Sequence, residues 1–214
     1  PDSMSLLFLV NAFEKYKKGN LMALIVDHRI RKNSNQEAKY ISTNLNKNNI
    51  TSQILTVNQV NVSKKSMNEA RNNRYNLLTD YCIKNNILHL FIAHHKDDNL
   101  ETFLNRKIAG SDFYGLKSMS EFSLYNKVCI IRPLLNFSKD ALLIYNKKNK
   151  IEYISDPSNF NLDYTRPTIR NFLKKSDQKT IKEINKDFEN ILFYSPYFIQ
   201  MILEILLKNI VHVD

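Results

Sequence analysis

Apolar residues recur at two different spacings along the chain, and the alternation between the two predicts its fold. From Met4 to Lys18 the positions Leu6, Leu7, Val10, Phe13 and Tyr16 follow the three-to-four spacing of a helix. Gly19 is placed to end that helix in a left-handed conformation. Leu21 to Val26 is an unbroken apolar run of strand length, the pattern of a strand covered on both faces, and it stops at Asp27, His28 and Arg29. Ser34 with Glu37 reads as a capping box for a helix carrying Ala38, Ile41 and Leu45. Ile50 to Val57 predicts a second strand, and Ser66 with Glu69 a second capping box before a helix bearing Ala70, Leu77, Leu78 and Tyr81.

The alternation continues through a strand over Ile87 to Ala93, a helix ending at Gly110, a strand over Val128 to Leu134, and a helix capped by Ser138. Strands and helices in turn imply an α/β fold: a parallel sheet with helices on both faces. After Asp156 come Pro and Asn turns, then two or three basic helices from Arg166 to the end, the last opening at Ser195 and Pro196. The expected division is a main domain over 1–165 and a helical extension over 166–214.

Composition narrows the function classes. Lys and Arg outnumber Asp and Glu by 31 to 21, a formal charge of +10, which favours a polyanionic partner such as nucleic acid or an anionic membrane surface. Cys82 and Cys129 stand far apart, so neither a disulfide framework nor a zinc or iron–sulfur site is suggested, and a reducing cytoplasm fits. The most apolar stretch, Tyr197 to Val213, is interrupted by Gln200, Glu204 and Lys208, so no membrane span is expected, and its stripe Ile199, Ile202, Leu206, Ile210 reads as a packing face. The chain opens at Pro1 in residues that read as the end of a loop, so the natural N-terminus is expected further upstream.

Three polar clusters fall where ligands bind in open α/β sheets, at strand carboxyl ends and helix starts: Asp2 and Ser3, Asp27 and His28, and His94 to Thr102. In the third, Asp98 and Glu101 are three residues apart on one helix face and can jointly hold magnesium or an ammonium group, with Asp97 either a helper or a helix cap. His94 and His95 point to opposite faces if extended, which suits proton carriers or phosphate donors better than zinc ligands. Arg71 and Arg74 share a helix face and can clamp a phosphate or form ion pairs with their neighbours. Gly110 to Leu116 reads as a flexible glycine-bearing loop.

As a set these motifs resemble the catalytic domain of the tRNA(Ile)-lysidine synthase family, within the N-type ATP pyrophosphatase (PP-loop) group. Pro1, Asp2, Ser3 and Met4 look like the end of the family's Ser-Gly-Gly-x-Asp-Ser loop, whose start, with the first strand, is not in the sequence. Asp27, His28 and Arg31 match its Asp-His-x-x-Arg segment, Glu69 to Tyr75 its Glu-Ala-Arg helix, and Gly110 to Leu116 its Gly-Ser…Gly-Leu segment. Arg132 to Leu135 and Asp156 to Asn159 follow in order, and the match runs to about Arg170. Ala109 and Pro167 depart from the pattern, where the family usually has an arginine and an Arg-Asn-Arg-x-Arg run.

The resemblance implies an adenine nucleotide α-hydrolase-like, Rossmann-like fold, ATP as co-substrate with Mg²⁺, and a ligase reaction. ATP would adenylate C2 of the wobble cytidine of the CAU-anticodon isoleucine tRNA, and L-lysine would then displace AMP. Pro1, Asp2, Ser3, Asp27 and His28 would bind the nucleotide, and Asp98, Glu101, His95, Asp97 and Arg71 would serve catalysis. Asp2 and Asp98 are the magnesium candidates, and Arg74, Arg132, Arg166 and Arg170 the tRNA contacts. A cytoplasmic location is implied, and a homodimer is left open. The competing expectations are a tRNA thiolase of the same group, disfavoured by the isolated cysteines, and a non-catalytic RNA-binding domain.

Overall fold

A computed structural model describes residues 1–17, 19–29, 33–57, 67–154 and 165–209. The expectations on Ser66, Arg31, Asp156 to Asn159 and the far end of the last helix lie outside the described residues, as does the Arg166 side chain. The chain forms two compact units: one of Pro1–His95 with Glu121–Ser155, the other of Lys96–Ser120 with Asp156–Asp214.

Every strand among the described residues lies in the first unit. β1 (Met22–Asp27) pairs in parallel with β2 (Thr51–Thr56), in register Met22 with Thr51 through Asp27 with Thr56. β3 (His89–Phe91) pairs in parallel with β5 (Val128–Ile131), which pairs antiparallel with β4 (Phe122–Tyr125). The strands therefore form two sheets, β1-β2 and β3-β5-β4. Within this unit the unpaired edges of β1 and β3 both line one cavity of about 1180 Å³.

Helices cover both faces, as a strand with no polar face requires. Ala23 and Ile25 of β1 pack with Leu45 and Ile41 of α2 (Ser34–Lys47) and with Met4 and Leu7 of α1 (Asp2–Lys17). The alternate residues Leu24 and Val26 face Tyr75, Leu78 and Cys82 of α3 (Met67–Lys84), the twofold alternation of a strand dividing one run between two cores. α6 (Lys139–Lys148) lies against α1 through Leu142, with Leu6 and Val10.

The second unit is helical. α4 (Lys96–Ile108) packs Leu100, Phe103 and Leu104 against Ile169 of α7 (Thr165–Lys175) and Phe188 of α8 (Gln178–Asn209), with the Phe103 and Phe188 rings 5.0 Å apart. One further turn, α5 (Phe113–Leu116), completes it.

Several sequence expectations are corrected. Ser34 is the first helical residue rather than the cap of α2; the cap position is Asn33, which makes no side-chain capping bond. The Ser34 hydroxyl instead binds Asp27. Gly19 does not take a left-handed conformation, whereas Gly110 does, at φ +70°. The Gly110 to Leu116 loop contains the α5 turn, capped by Asp112, whose carboxylate accepts from the Gly115 N–H at 2.7 Å. Pro196 does not open a helix but sits inside α8. β4 went unread because its only turn signal is Asn126-Lys127, both at positive φ as a two-residue hairpin loop demands.

Candidate nucleotide and amine sites

α1 starts where β3 ends, so its first-turn N–H groups lie at the carboxyl end of the sheet, the edge where α/β folds bind anions. The placement is fixed by a buried clasp. The Ser5 hydroxyl donates to Asn146 Oδ1 on α6 at 2.8 Å, and the Asn146 amide donates to the Pro1 carbonyl at 3.2 Å. Ser5 and Asn146 are both essentially inaccessible, so neither partner has water as an alternative.

Asp2 occupies the first turn of α1. Its Oδ2 lies 3.7 Å from His95 Nε2 and 3.5 Å from the Lys139 ammonium. Burial alone would push its carboxyl up, but the His95 imidazole and the Lys139 charge outweigh that and hold it below the usual carboxylate value. Its other oxygen, Oδ1, is buried with no hydrogen-bond partner. Lys139 was not read from the sequence as a site residue. The available signal was a lysine directly after the Ser138 cap, in a first helical turn where the dipole disfavours a cation.

His94 is buried on the same strand end, and its Nδ1 accepts from Arg132 Nε at 3.3 Å. Arg132 also donates to the Ser123 hydroxyl at 2.9 Å, so this tRNA-contact candidate has its head inside the first unit, 7% exposed.

Asp27, 2% exposed at the end of β1, accepts from the Arg29 N–H at 2.9 Å and from the Ser34 hydroxyl. Its carboxyl is lowered: burial raises it, and the Ser34 and Arg29 hydrogen bonds with the Arg29 and His28 charges more than reverse that. A group depressed in the folded state contributes stability above its unfolded value, and loses it as pH falls through the folded one. Chemical denaturation should therefore show wild type losing more stability than Asp27→Asn between pH 5 and pH 3, about the range in which free Asp titrates. Equal losses would contradict the assignment. His28 and Arg74 line the cavity of this unit, as do Pro1, Asp2 and Ser3. Arg71 and Arg74 lie 5.1 and 5.8 Å from the ring centroid of buried Tyr75, and Arg71 also donates to its hydroxyl at 3.3 Å.

The His94 to Thr102 run is divided between the units: both histidines belong to the first, the carboxylates to the second. On α4, Asp98 and Glu101 share a face as their spacing predicts. Arg170 of α7 spans them: Nε pairs with Glu101 Oε1, and Nη2 lies 3.4 Å from Asp98 Oδ1. Glu101 is 3% exposed, so this pairing is screened little by water. Asp97 lies beside Asp98 in the first turn, where the helix dipole favours both.

Among the described residues no three metal-ligating side chains cluster. Magnesium does not require them, since it commonly takes one or two carboxylates plus substrate phosphates. Asp2, with its unpartnered buried Oδ1, suits that role better than Asp98, whose carboxylate is shared with Arg170. Cys82 and Cys129 are free thiols, and burial pushes the Cys82 thiol up. No described helix is long and apolar enough to cross a membrane.

A family model described as a PP-loop domain matches residues 1–176. The chain is 39% identical over 182 residues to the tRNA(Ile)-lysidine synthase of Wolbachia sp. subsp. Brugia malayi (strain TRS), covering 84% of this chain and 42% of that protein. It is 38% identical over 175 residues to the tRNA(Ile)-lysidine synthase of Orientia tsutsugamushi (strain Boryong), covering 81% and 39%. The chain thus spans about two fifths of the length of these relatives. Among solved structures it is similar to the U34-tRNA thiolase NcsA from Methanococcus maripaludis with its [4Fe-4S] cluster. That match has a TM-score of 0.70 at 19% identity and covers 90% of this chain and 68% of the other, a likeness of fold.

Proposed function

The chain belongs to the PP-loop domain family, and from that premise we propose that it is the catalytic part of a tRNA(Ile)-lysidine synthase. The reaction is an ATP-dependent ligation. The C2 oxygen of the wobble cytidine in a CAU-anticodon isoleucine tRNA attacks the α-phosphorus and pyrophosphate leaves. The lysine ε-nitrogen then bonds to C2 and the C2–O bond breaks, releasing AMP, while the amine gives up a proton. The observation that carries this reading is Asp2, held at the start of α1 between His95 and Lys139.

That arrangement suits a polyphosphate. First-turn N–H groups and the positive end of α1 meet an anion, and Asp2 would hold magnesium, which neutralises charge on the leaving pyrophosphate. Asp27 and His28, at the end of β1, would meet the nucleoside side. In the second unit, Asp98 and Glu101 would take the lysine ammonium and Glu101 or Asp98 its proton, since an ammonium has no lone pair with which to attack. His95 is turned to Asp2, which supports a role beside the phosphates over one at the amine.

The tRNA surface follows from charge. Arg132 and Arg170 have their heads engaged by protein groups, so phosphate contacts fall to Arg166 and to exposed lysines of α7 and α8 such as Lys174, Lys175, Lys179 and Lys182. Such contacts weaken steeply with salt. The division into a catalytic domain over 1–165 and a basic helical extension belongs to the same reading. So does one further strand ahead of α1: the open edges of β1 and β3 both line the cavity, and a parallel strand entering α1 there would make a right-handed crossover to β1.

Product analysis tests the proposal. The full-length protein with ATP, Mg²⁺, lysine and cognate tRNA should form AMP and pyrophosphate in equal amounts, and only when tRNA is present. ADP with phosphate, or no nucleotide turnover, would reject it; AMP formation indifferent to lysine would favour a thiolase-type enzyme instead.

A further inference from the structure

Lys139 lies in none of the sequence motifs, yet the fold brings its charge to the start of α1. Lys139 is the first residue of α6, behind the Ser138 cap, and its ammonium reaches 3.5 Å from Asp2 Oδ2. The clasp of Ser5, Asn146 and the Pro1 carbonyl ties α6 to α1, so buried bonds hold the helix from which Lys139 reaches. Helix stability does not explain the residue, because the dipole disfavours a cation at that position. Nor does Asp2 need it as a sole counter-charge, since His95 approaches the same oxygen. One carboxylate thus faces Lys139, His95 and the positive end of α1, with its second oxygen buried and unpartnered. The cluster has more positive than negative character, and its lysine is 39% exposed on a flexible stem.

We propose that Lys139 is a catalytic residue that contacts the β- or γ-phosphate of the bound nucleotide, donating to oxygens that leave with pyrophosphate. The assignment rests on the nucleotide reading of the Asp2 cluster and adds to it the residue that distinguishes a triphosphate from a monophosphate. A charge-assisted hydrogen bond of this kind strengthens as negative charge moves onto the leaving group.

Calorimetric titration of the full-length protein with ATP and with AMP, both in Mg²⁺, tests it. Lys139→Met should weaken ATP binding about tenfold, the size of one lost charge-assisted contact, while AMP binding stays within about twofold and reports an intact fold. Lys139→Arg should restore most of the ATP affinity. ATP binding unchanged in Lys139→Met, or ATP and AMP affinities falling together in Lys139→Met and Lys139→Gln alike, overturns the assignment. Those outcomes leave the nucleotide site itself standing, whereas a wild-type protein that binds neither ligand removes both.

Discussion

Glu101→Gln in the full-length protein is expected to lower lysine incorporation into tRNA by roughly 10²–10³-fold, the usual loss for a positioned proton acceptor, while first-turnover pyrophosphate release stays within about threefold. Gln keeps the shape and the hydrogen bond to Arg170 but removes the negative charge and the proton affinity. An amine held by Asp98 and Glu101 then loses half its counter-charge and its route to the nucleophilic form. The split between steps is the informative part. A residue that merely held α7 onto α4 would move both steps together, because any loosening of the Arg170 contact by the lost charge would be the same in either step. Equal loss of pyrophosphate release and lysine incorporation would contradict the assignment of Glu101 to the amine.

Asp2→Asn is expected to act at the opposite step, reducing pyrophosphate release by about 10³-fold through loss of the charge that seats the metal and orders His95 and Lys139 around the phosphates. His95 and Lys139 would then face each other across a neutral amide, with no anion between them. Single-turnover pyrophosphate release measures this directly. A variant within tenfold of wild type would show that the start of α1 is not where the phosphates lie.

Much of this was legible in the sequence because the signals are local. The run Leu21 to Val26 contains both faces of β1, and its two core sets, Ala23 with Ile25 and Leu24 with Val26, follow from strand alternation alone. Asp98 and Glu101 share a face because helical spacing says so. The features that escaped are those that depend on distant partners. Ser34 looks like a helix cap until Asp27 competes for its hydroxyl. Pro196 looks like a helix start, yet packing through Phe188 and its neighbours carries α8 across it. Arg132 and Arg170 look like phosphate ligands in a basic chain, and only the fold shows a histidine and two carboxylates at their heads. Lys139 carries no motif at all; its part appears when α6 is seen clasped to α1.

The most direct test of the central claim is transfer of labelled L-lysine by the full-length protein to isoleucine tRNA bearing a CAU anticodon, with ATP and Mg²⁺ present. The account predicts ATP-dependent label at the wobble cytidine, matched one for one by AMP. No label on the tRNA, with ATP binding intact, would contradict it.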